Sequence, residues 1–321
     1  MTDLLTIDGV SKRFEKKLDL AARLARRLGA PVSDRVVHAL DGVSLGIARG
    51  EVVGLVGESG CGKSTLGRVV AGIHAPSEGR VLWEGRPVKR ADRLKIQMVF
   101  QDPMSSLNPR HRIDRVIGEA PRVHGLVAAR EVDGFVADLL RKVGLDPAYR
   151  TRYPHQFSGG QRQRIAIARA LAVDPSLIVC DEAVSALDVS VQAQVLNLFM
   201  DLREELGLTY LFISHDLGVV EHIADRVVVM YLGRVVEAAP KSELYARPLH
   251  PYAQALLEEV PRLTKGKRRY RPIQGEIPSP LAPPSGCHFH PRCPLADAHC
   301  RAVRPALREM GPGRVVACHK A

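Results

Sequence analysis

The chain has 321 residues, of which 45% are hydrophobic and 25% charged, as is ordinary for one large α/β domain with an appendage. No stretch approaches the roughly 18 uninterrupted apolar residues of a membrane span, and the amino terminus lacks a basic leader followed by an apolar core. We therefore expect neither a transmembrane helix nor a signal peptide. The formal charge of +11 raises a nucleic-acid-binding protein as one possible class.

The first 36 residues combine a strand with a basic insertion over residues 15–36. After the run Val10–Phe14, the segment Leu18–Leu28 has apolar residues at helical spacing, which predicts a short amphipathic helix. Lys12–Arg35 holds eight Lys or Arg against three acids, and Lys265–Arg271 is a second basic run. Neither run interleaves aromatic residues as base stacking requires. We interpret both as solvated surface or as attracted to an anionic membrane leaflet.

The next segment, Gly57–Ser64, matches the phosphate-binding loop G-x-x-x-x-G-K-[ST] in full. The Val-rich run Glu51–Val56 before it predicts a buried strand, and Leu66–Ala71 after it has helical character. Here the glycines turn backbone N–H groups toward phosphate oxygens, and the helix adds the positive end of its dipole. We expect Lys63 to reach the β- and γ-phosphates and the Ser64 hydroxyl to ligate Mg²⁺. The predicted nucleotide-binding residues of this segment are Gly57, Ser59, Gly60, Cys61, Gly62, Lys63, Ser64 and Thr65.

Further along the chain, a strand-like run and a helical region lead to a second glycine turn. Ile96–Phe100 reads as a strand before Gln101, and the patterns are helical from Met104 to about Pro154. Ser158-Gly-Gly-Gln161 then opens Arg162–Leu171, which has helical periodicity. A Ser-Gly-Gly turn at a helix start is an anion site built from backbone N–H groups and the helix dipole, although such a turn alone would mean little.

Two acids follow the next buried-strand run, Leu177–Cys180. At the carboxyl end of a parallel strand beside the phosphate loop, Asp181 is placed to hold Mg²⁺. Glu182 is placed to polarise a water for in-line attack on the γ-phosphate. Without the phosphate loop, an ordinary strand-end acidic pair would be the better interpretation.

In combination, these motifs resemble the ATPase subunits of ABC transporters over nearly the whole chain. On that resemblance Gln101 is the Q-loop residue, Ser185–Asp188 is the D-loop, and His215, after the run Thr209–Ser214, is the switch histidine. The resemblance implies catalytic roles for Glu182 and His215. It implies Mg²⁺ contacts from Ser64, Gln101 and Asp181. Nucleotide contacts outside the phosphate loop would come from Phe14, Gln101, Ser158, Gly159, Gly160, Gln161 and Asp188.

The pattern leaves the role of Phe14 open, and at Phe157 it departs from the family's usual residue. Phe14 would stack on adenine, but the insertion makes its register uncertain and a core Phe is nearly as good an interpretation. Phe157 stands where the family commonly has Leu. Because this is mainly a packing position, we expect the replacement to cause little loss of function. In this family two subunits pack head to tail, so the Ser158 turn would complete the ATP site of a partner.

The resemblance implies an α/β fold, a P-loop NTPase core of ABC type with a helical subdomain and a small carboxyl-terminal cysteine-rich extension. We expect the ATP-binding core over residues 1–103 and 155–248, the helical subdomain over 104–154 and the extension over 249–321. Gln101–Met104 would be the hinge to the helical subdomain.

The end of the chain narrows the type of transporter. His250-Pro-Tyr252, a Pro-rich stretch over Ile277–Pro284 and the segment Gly286–Pro294 occur in order. This tail resembles the dipeptide/oligopeptide importer ATPases, a group that includes nickel and glutathione importers. The Pro-rich stretch predicts an appendage set apart from the phosphate loop.

Four cysteines of the tail form a candidate metal site. They are separated by five, six and seventeen residues, which is not the spacing of common zinc ribbons. Clustered thiols in a cytosolic chain favour a metal over disulfides. The family resemblance favours a [4Fe–4S] cluster, with zinc as the alternative (His288, His290 or His319 as a further ligand) and four unliganded thiols as the third possibility. The four cysteines are Cys287, Cys293, Cys300 and Cys318.

These features together predict an ATPase subunit of an ABC importer for peptides or a related small solute, with ATP and Mg²⁺ as cofactors. It would act at the cytoplasmic face of the cell membrane as a peripheral subunit. The expected partners are two transmembrane permeases, a second ATPase that is a non-identical paralogue, and an extracytoplasmic solute-binding protein, without nucleic acid. The alternative is a soluble ABC ATPase acting on nucleic acid or ribosomes, a class that usually carries two cassettes in one chain and lacks this tail.

Overall fold

The computed structural model of the protein describes residues 3–16, 35–259 and 273–321. The predicted amphipathic helix Leu18–Leu28 and the basic run Lys265–Arg271 lie outside these residues. Within the described ranges, no helix has both the length and the apolar character needed to cross a membrane.

The described residues form two sheets. Their strands are β1 (Asp3–Lys16), β2 (Arg35–Ala48), β3 (Val52–Val56), β4 (Glu78–Trp83), β5 (Arg86–Pro87), β6 (Ile96–Val99), β7 (Leu177–Asp181), β8 (Thr209–Ile213), β9 (Arg226–Tyr231), β10 (Arg234–Pro240), β11 (Arg308–Gly311) and β12 (Arg314–Val316). The larger sheet has the order β11-β12-β10-β9-β3-β8-β7-β6, and its strands β9, β3, β8, β7 and β6 are parallel. The smaller sheet is antiparallel in the order β2-β1-β4-β5.

Helices connect and cover the parallel strands. They are α1 (Lys63–Val70), α2 (Pro103–Ser106), α3 (Ile113–Val123), α4 (Val132–Lys142), α5 (Gly159–Leu171), α6 (Val189–Leu206), α7 (Leu217–Ile223), α8 (Lys241–Ala246), α9 (Pro251–Glu258) and α10 (Ala298–Ala302). The strands expected at Glu51–Val56, Ile96–Phe100, Leu177–Cys180 and Thr209–Ser214 are confirmed as β3, β6, β7 and β8, each differing by one residue at one end.

The parallel strands are buried on both faces, which explains their continuous apolar sequence. All five residues of β3 are buried, as are those of β7 and β8. Successive side chains of β3 point to opposite faces, so Val53 and Leu55 belong to one hydrophobic cluster while Val52 and Val56 belong to another. A sheet with apolar layers on both sides holds the loops at its carboxyl edge on a rigid base.

The carboxyl-terminal tail is part of the larger sheet. Strand β12 pairs with β10 through Glu237↔Val316 and Ala238↔Val315, and β11 pairs with β12. The fully buried Glu237 accepts hydrogen bonds from Arg314 Nη2 at 2.8 Å and from the backbone N–H of His250 at 2.7 Å. A buried carboxylate of this kind is stabilised only when its partners are kept. The tail is therefore packed into the larger sheet, and the expectation of an appendage set apart from the phosphate loop is wrong, because Arg292 of the tail also bonds Glu58 of that loop.

Candidate functional site

The phosphate loop joins β3 to α1 and depends on two glycines. Gly57 and Gly62 have φ values of +149° and +106°. A Cβ at Gly57 would lie 2.2 Å from the carbonyl oxygen of Met230, and one at Gly62 would lie 2.4 Å from that of Ala39. Because both obstructions are backbone atoms, only glycine fits at these positions. Between them, Ser59 and Gly60 are exposed at the mouth of the loop.

Lys63 is held inside the loop by carbonyl oxygens. Its side chain is buried, and Nζ donates to the carbonyl oxygens of Gly57 at 2.7 Å and Glu58 at 3.0 Å. A buried ammonium needs such partners because its desolvation is costly. Phosphate oxygens can replace these carbonyls as acceptors, so the cation lies ready at the place where the loop would receive a phosphate group.

A hydroxyl and a carboxylate meet beside the loop. Ser64 Oγ donates to Asp181 Oδ1 at 2.7 Å, which joins the start of α1 to the end of β7. Burial raises the pKa of the Asp181 carboxyl, and the hydrogen bond from Ser64 opposes that shift. Both groups are hard oxygen donors, the kind that Mg²⁺ takes from proteins.

Glu182 and His215 lie next to each other at the carboxyl ends of β7 and β8. His215 Nδ1 is 3.4 Å from Glu182 Oε1, and the histidine side chain is 57% exposed. Glu182 has φ +50°, an unusual value for a residue with a side chain, and its backbone N–H donates to the carbonyl of Ile213. Strained backbone of this kind occurs at functional sites, where the surroundings hold it in place.

Two other predicted nucleotide contacts lie on the surface. Phe14 is 38% exposed on β1, with its ring edge-on to His74 at 5.4 Å and with Lys12 Nζ 5.1 Å from the ring centre. Because the ring is exposed, the alternative interpretation of Phe14 as a core residue is wrong. An exposed ring could stack on a base. Gln101 is also exposed, two residues after the end of β6.

The Ser-Gly-Gly turn begins α5 and is exposed at its start. Ser158 Oγ accepts from the backbone N–H of Gln161 at 3.3 Å, and Gln161 Oε1 accepts from the backbone N–H of Ser158 at 3.0 Å. This reciprocal pair satisfies two groups at the helix start and fixes its geometry. Gly159 is exposed, and Gly160 packs so closely on α6 that a Cβ would lie 2.4 Å from Val191 Cγ1. Phe157 is buried against Tyr149, as expected for a packing position.

The D-loop segment leads into α6. Asp188 is exposed at the amino end of that helix, where its carbonyl accepts from the backbone N–H of Gln192 at 2.8 Å. Neither Asp188 nor the Ser158 turn forms a described hydrogen bond with the phosphate loop of its own chain. The structure thus brings together Lys63, Ser64, Asp181, Glu182 and His215 at one sheet edge and leaves these two segments exposed.

The tail contacts the phosphate loop directly, which the sequence interpretation missed. Arg292 forms two hydrogen bonds with the Glu58 carboxylate, at 2.6 and 2.9 Å, and Tyr252 Oη accepts from the backbone N–H of Glu58 at 2.8 Å. The two ion-pair residues are 234 positions apart in sequence. No local pattern could have indicated this contact.

The four tail cysteines are free thiols, and the backbone N–H of Cys287 donates to the carbonyl of Cys300 at 2.9 Å. Burial raises the pKa of Cys287 and that of Cys293, and the charges of Cys300 and Cys318 add to both shifts. Within the described part of the chain, no group of three or more His, Cys, Asp or Glu is arranged to hold a metal ion. One ring nitrogen of each alternative zinc ligand lies beside a backbone carbonyl: Nδ1 of His288 beside that of Leu232, Nδ1 of His290 beside that of Cys287 and Nε2 of His319 beside that of Val303.

Comparisons with known proteins agree with the geometry. Residues 40–185 match the family described as ABC transporter, and residues 236–300 match the one described as oligopeptide/dipeptide transporter, C-terminal region. The chain is 53% identical to the oligopeptide transport ATP-binding protein AppF of Bacillus subtilis (strain 168), over 88% of this chain and 89% of that protein. It is 49% identical to the dipeptide transport ATP-binding protein DppF of Escherichia coli (strain K12), over 94% and 92%. A solved structure of the ATP-binding cassette MJ0796, dimeric and bound to ADP and Pi, aligns with a TM-score of 0.61 at 27% identity over 74% of this chain and 98% of that one.

A parallel sheet that presents a phosphate loop, a buried lysine and a hydroxyl–carboxylate pair at its carboxyl edge defines a P-loop nucleoside triphosphatase. Sequence identities of about 50% over most of the chain identify the family within this class. The chain belongs to the ATP-binding subunits of ABC transporters, in the group that carries the oligopeptide/dipeptide transporter C-terminal region. Its activity is ATP hydrolysis coupled to transport.

Proposed function

We propose that this chain is the ATP-hydrolysing subunit of an importer for di- and oligopeptides or a related small solute. The observation that carries the proposal is the sequence identity of about 50% to oligopeptide and dipeptide transport ATP-binding proteins. The family match over residues 236–300 extends this likeness into the tail. A shared cassette alone would indicate only ATP hydrolysis, whereas a shared tail points to one group of transporters.

The geometry supports a division of roles at the ATP site. Lys63 would bind the β- and γ-phosphates, and Ser64, Asp181 and Gln101 would hold Mg²⁺, which neutralises charge on the phosphate oxygens when bound. The Ser64 and Asp181 oxygens fit that ion because they already meet at 2.7 Å. Glu182 would orient and deprotonate the attacking water, and His215 would hold the Glu182 carboxylate in place.

The exposed turn supports a site that two subunits complete. Ser158, Gly159 and Gln161 would contact ATP bound to a partner ATPase, and the partner's equivalent turn would cover the phosphate loop of this chain. The neighbour MJ0796 is described as a dimer. We propose a non-identical paralogue as the partner, with two permeases and an extracytoplasmic solute-binding protein, at the cytoplasmic face of the cell membrane.

We propose that the chain divides into a core, a helical subdomain and an extension. The ATP-binding core would comprise residues 1–103 and 155–248, the helical subdomain residues 104–154 and the extension residues 249–321. Helices α3 and α4 lie in the helical subdomain, where they would face the permeases. The hinge would lie at Gln101–Met104.

We also propose a [4Fe–4S] cluster on the tail, with zinc as the alternative. An all-thiol donor set suits iron–sulfur chemistry, and the backbone hydrogen bond between Cys287 and Cys300 brings two of the four residues together. The side chains would have to converge further, because as they stand they form no metal-holding group within the described residues. The test is metal and sulfide analysis of anaerobically purified protein, in which Cys293→Ser should remove iron. Stoichiometric zinc would establish the alternative, and the absence of both metals would leave free thiols.

The transport function can be tested by uptake in the source organism. Replacing the chromosomal gene with the Lys63→Ala variant should abolish uptake of labelled di- and oligopeptides while leaving uptake of a free amino acid unchanged. Peptide uptake at the wild-type rate, with the variant expressed, would refute the proposal. Co-purification distinguishes an importer subunit from a nucleic-acid-associated ATPase. Membrane permeases should accompany the chain, whereas bound RNA in their place would favour the nucleic-acid-associated ATPase.

A further inference from the structure

One residue of the phosphate loop, Glu58, is held by the tail through its side chain. Arg292 Nη1 lies 2.6 Å from Glu58 Oε2, and Nη2 lies 2.9 Å from Oε1, so the pair is bidentate. The Arg292 side chain is 4% exposed and that of Glu58 is 21% exposed. An arginine in this planar, nearly water-free geometry gives a stronger and more directional contact than a surface ion pair does.

The backbone of Glu58 is held by the tail as well. Its N–H donates to the hydroxyl of Tyr252, whose side chain is fully buried. The Tyr252 ring packs edge-on against Tyr231 at 4.7 Å and tilted against Phe289 at 5.3 Å, which leaves it little freedom to move. The backbone N–H of Glu58 is therefore bonded to a hydroxyl whose position is fixed.

The third contact of Glu58 is with the lysine that would receive phosphate. The Glu58 carbonyl accepts from Lys63 Nζ at 3.0 Å and from the backbone N–H of Cys61 at 3.3 Å. One residue, Glu58, thus links the tail to the binding lysine. The shape of the loop before nucleotide arrives depends on the position of Glu58.

We propose that Arg292 and Tyr252 are positioning residues for nucleotide binding: they hold Glu58 so that the phosphate loop keeps its binding shape when empty. An ordered loop loses less conformational freedom when the ligand binds. Loosening the loop weakens the bound ground state and the transition state equally, because the same loop contacts the phosphates in both. The loss therefore affects KM and leaves kcat unchanged.

The first test is Arg292→Met in the full chain, with binding of MgADP measured by calorimetry and ATP hydrolysis measured alongside. MgADP is not hydrolysed, so this readout does not depend on Glu182 or on transport. We expect the MgADP Kd and the KM for ATP to rise about tenfold, with kcat unchanged. Tyr252→Phe keeps the ring packing and should raise both constants by a smaller factor. Arg304→Met is the matched control, because Arg304 pairs with Asp41 on β2 and not with the loop.

A second variant separates positioning from folding. Glu58→Gln alone leaves the buried Arg292 without its anion, so it should lower Tm more than Arg292→Met does. The double variant Glu58→Gln/Arg292→Met removes that buried charge and should recover Tm while the MgADP Kd stays raised. An unchanged Kd in both Arg292→Met and Tyr252→Phe would overturn the proposal. So would a Kd that recovers together with Tm in the double variant, or a fall in kcat at constant KM, which indicates loss of folded protein.

Discussion

His250 should make the stability of this protein sensitive to mild acid. Its side chain is 1% exposed, and its Nδ1 accepts from the backbone N–H of Tyr252 at 3.0 Å at the start of α9. Among the described residues, Nε2 has no hydrogen-bond partner. Burial lowers the pKa of His250 from 6.5 to about 4. The folded protein therefore keeps this ring neutral.

The sign and size of the effect follow from the two pKa values. Below pH 6.5 the unfolded chain binds a proton at His250 that the folded protein does not, so stability falls as the pH drops toward 4. At about 1.4 kcal/mol for each pH unit of difference, the full loss is about 3 kcal/mol below pH 4. About 2 kcal/mol of it is already lost at pH 5.

His250→Asn tests this, because the Asn oxygen can still accept from the Tyr252 N–H but cannot be protonated in this range. Urea unfolding at pH 7.5 and pH 5 should show a decline in unfolding free energy that is about 2 kcal/mol smaller in the variant than in the wild type. His222→Asn on the exposed side of α7 is the control and should keep the wild-type decline. Equal declines in His250→Asn and the wild type would refute the reasoning.

Three further substitutions test the ATP site. Glu182→Gln should abolish ATP turnover yet keep ATP bound, because Lys63 and Mg²⁺ would still hold the nucleotide while the carboxylate would serve only the water. Turnover is measured in the assembled transporter. Lys63→Ala should raise the ATP Kd measured by calorimetry, because it removes the buried cation of the loop. Gly62→Ala should lower the unfolding free energy by about 2 kcal/mol in urea titrations, because its Cβ meets a backbone carbonyl.

Each of these substitutions has a control or a contrary outcome. Hydrolysis by Glu182→Gln at the wild-type rate would exclude that residue as the base, provided that the proposed partner ATPase carries the matching change. Unchanged ATP affinity in Lys63→Ala would contradict the loop assignment. Gly60→Ala shares the positive φ but meets open space, so a loss as large as that of Gly62→Ala would show that the Ala39 carbonyl is not the cause.

Contiguous motifs were predictable because their chemistry is local. The strand β3, the loop from Gly57 and the start of α1 follow one another in sequence, so residue type alone indicates backbone shape and ligand. The strands β11 and β12 were not predicted. The residues of β11 are mostly exposed, and both strands are short. They become strands because β12 pairs with β10 and β11 pairs with β12, and that pairing is tertiary.

The sequence by itself determined the ATP chemistry, since each motif carries its own donors, acceptors and turn geometry within a few residues. It also determined that four thiols lie in one tail, although not how close their sulfur atoms come. Only the tertiary structure decided that the tail holds the phosphate loop through Arg292 and Tyr252. The physical reason is that an ion pair across 234 residues depends on where the sheet and the tail place two side chains, which no local periodicity encodes.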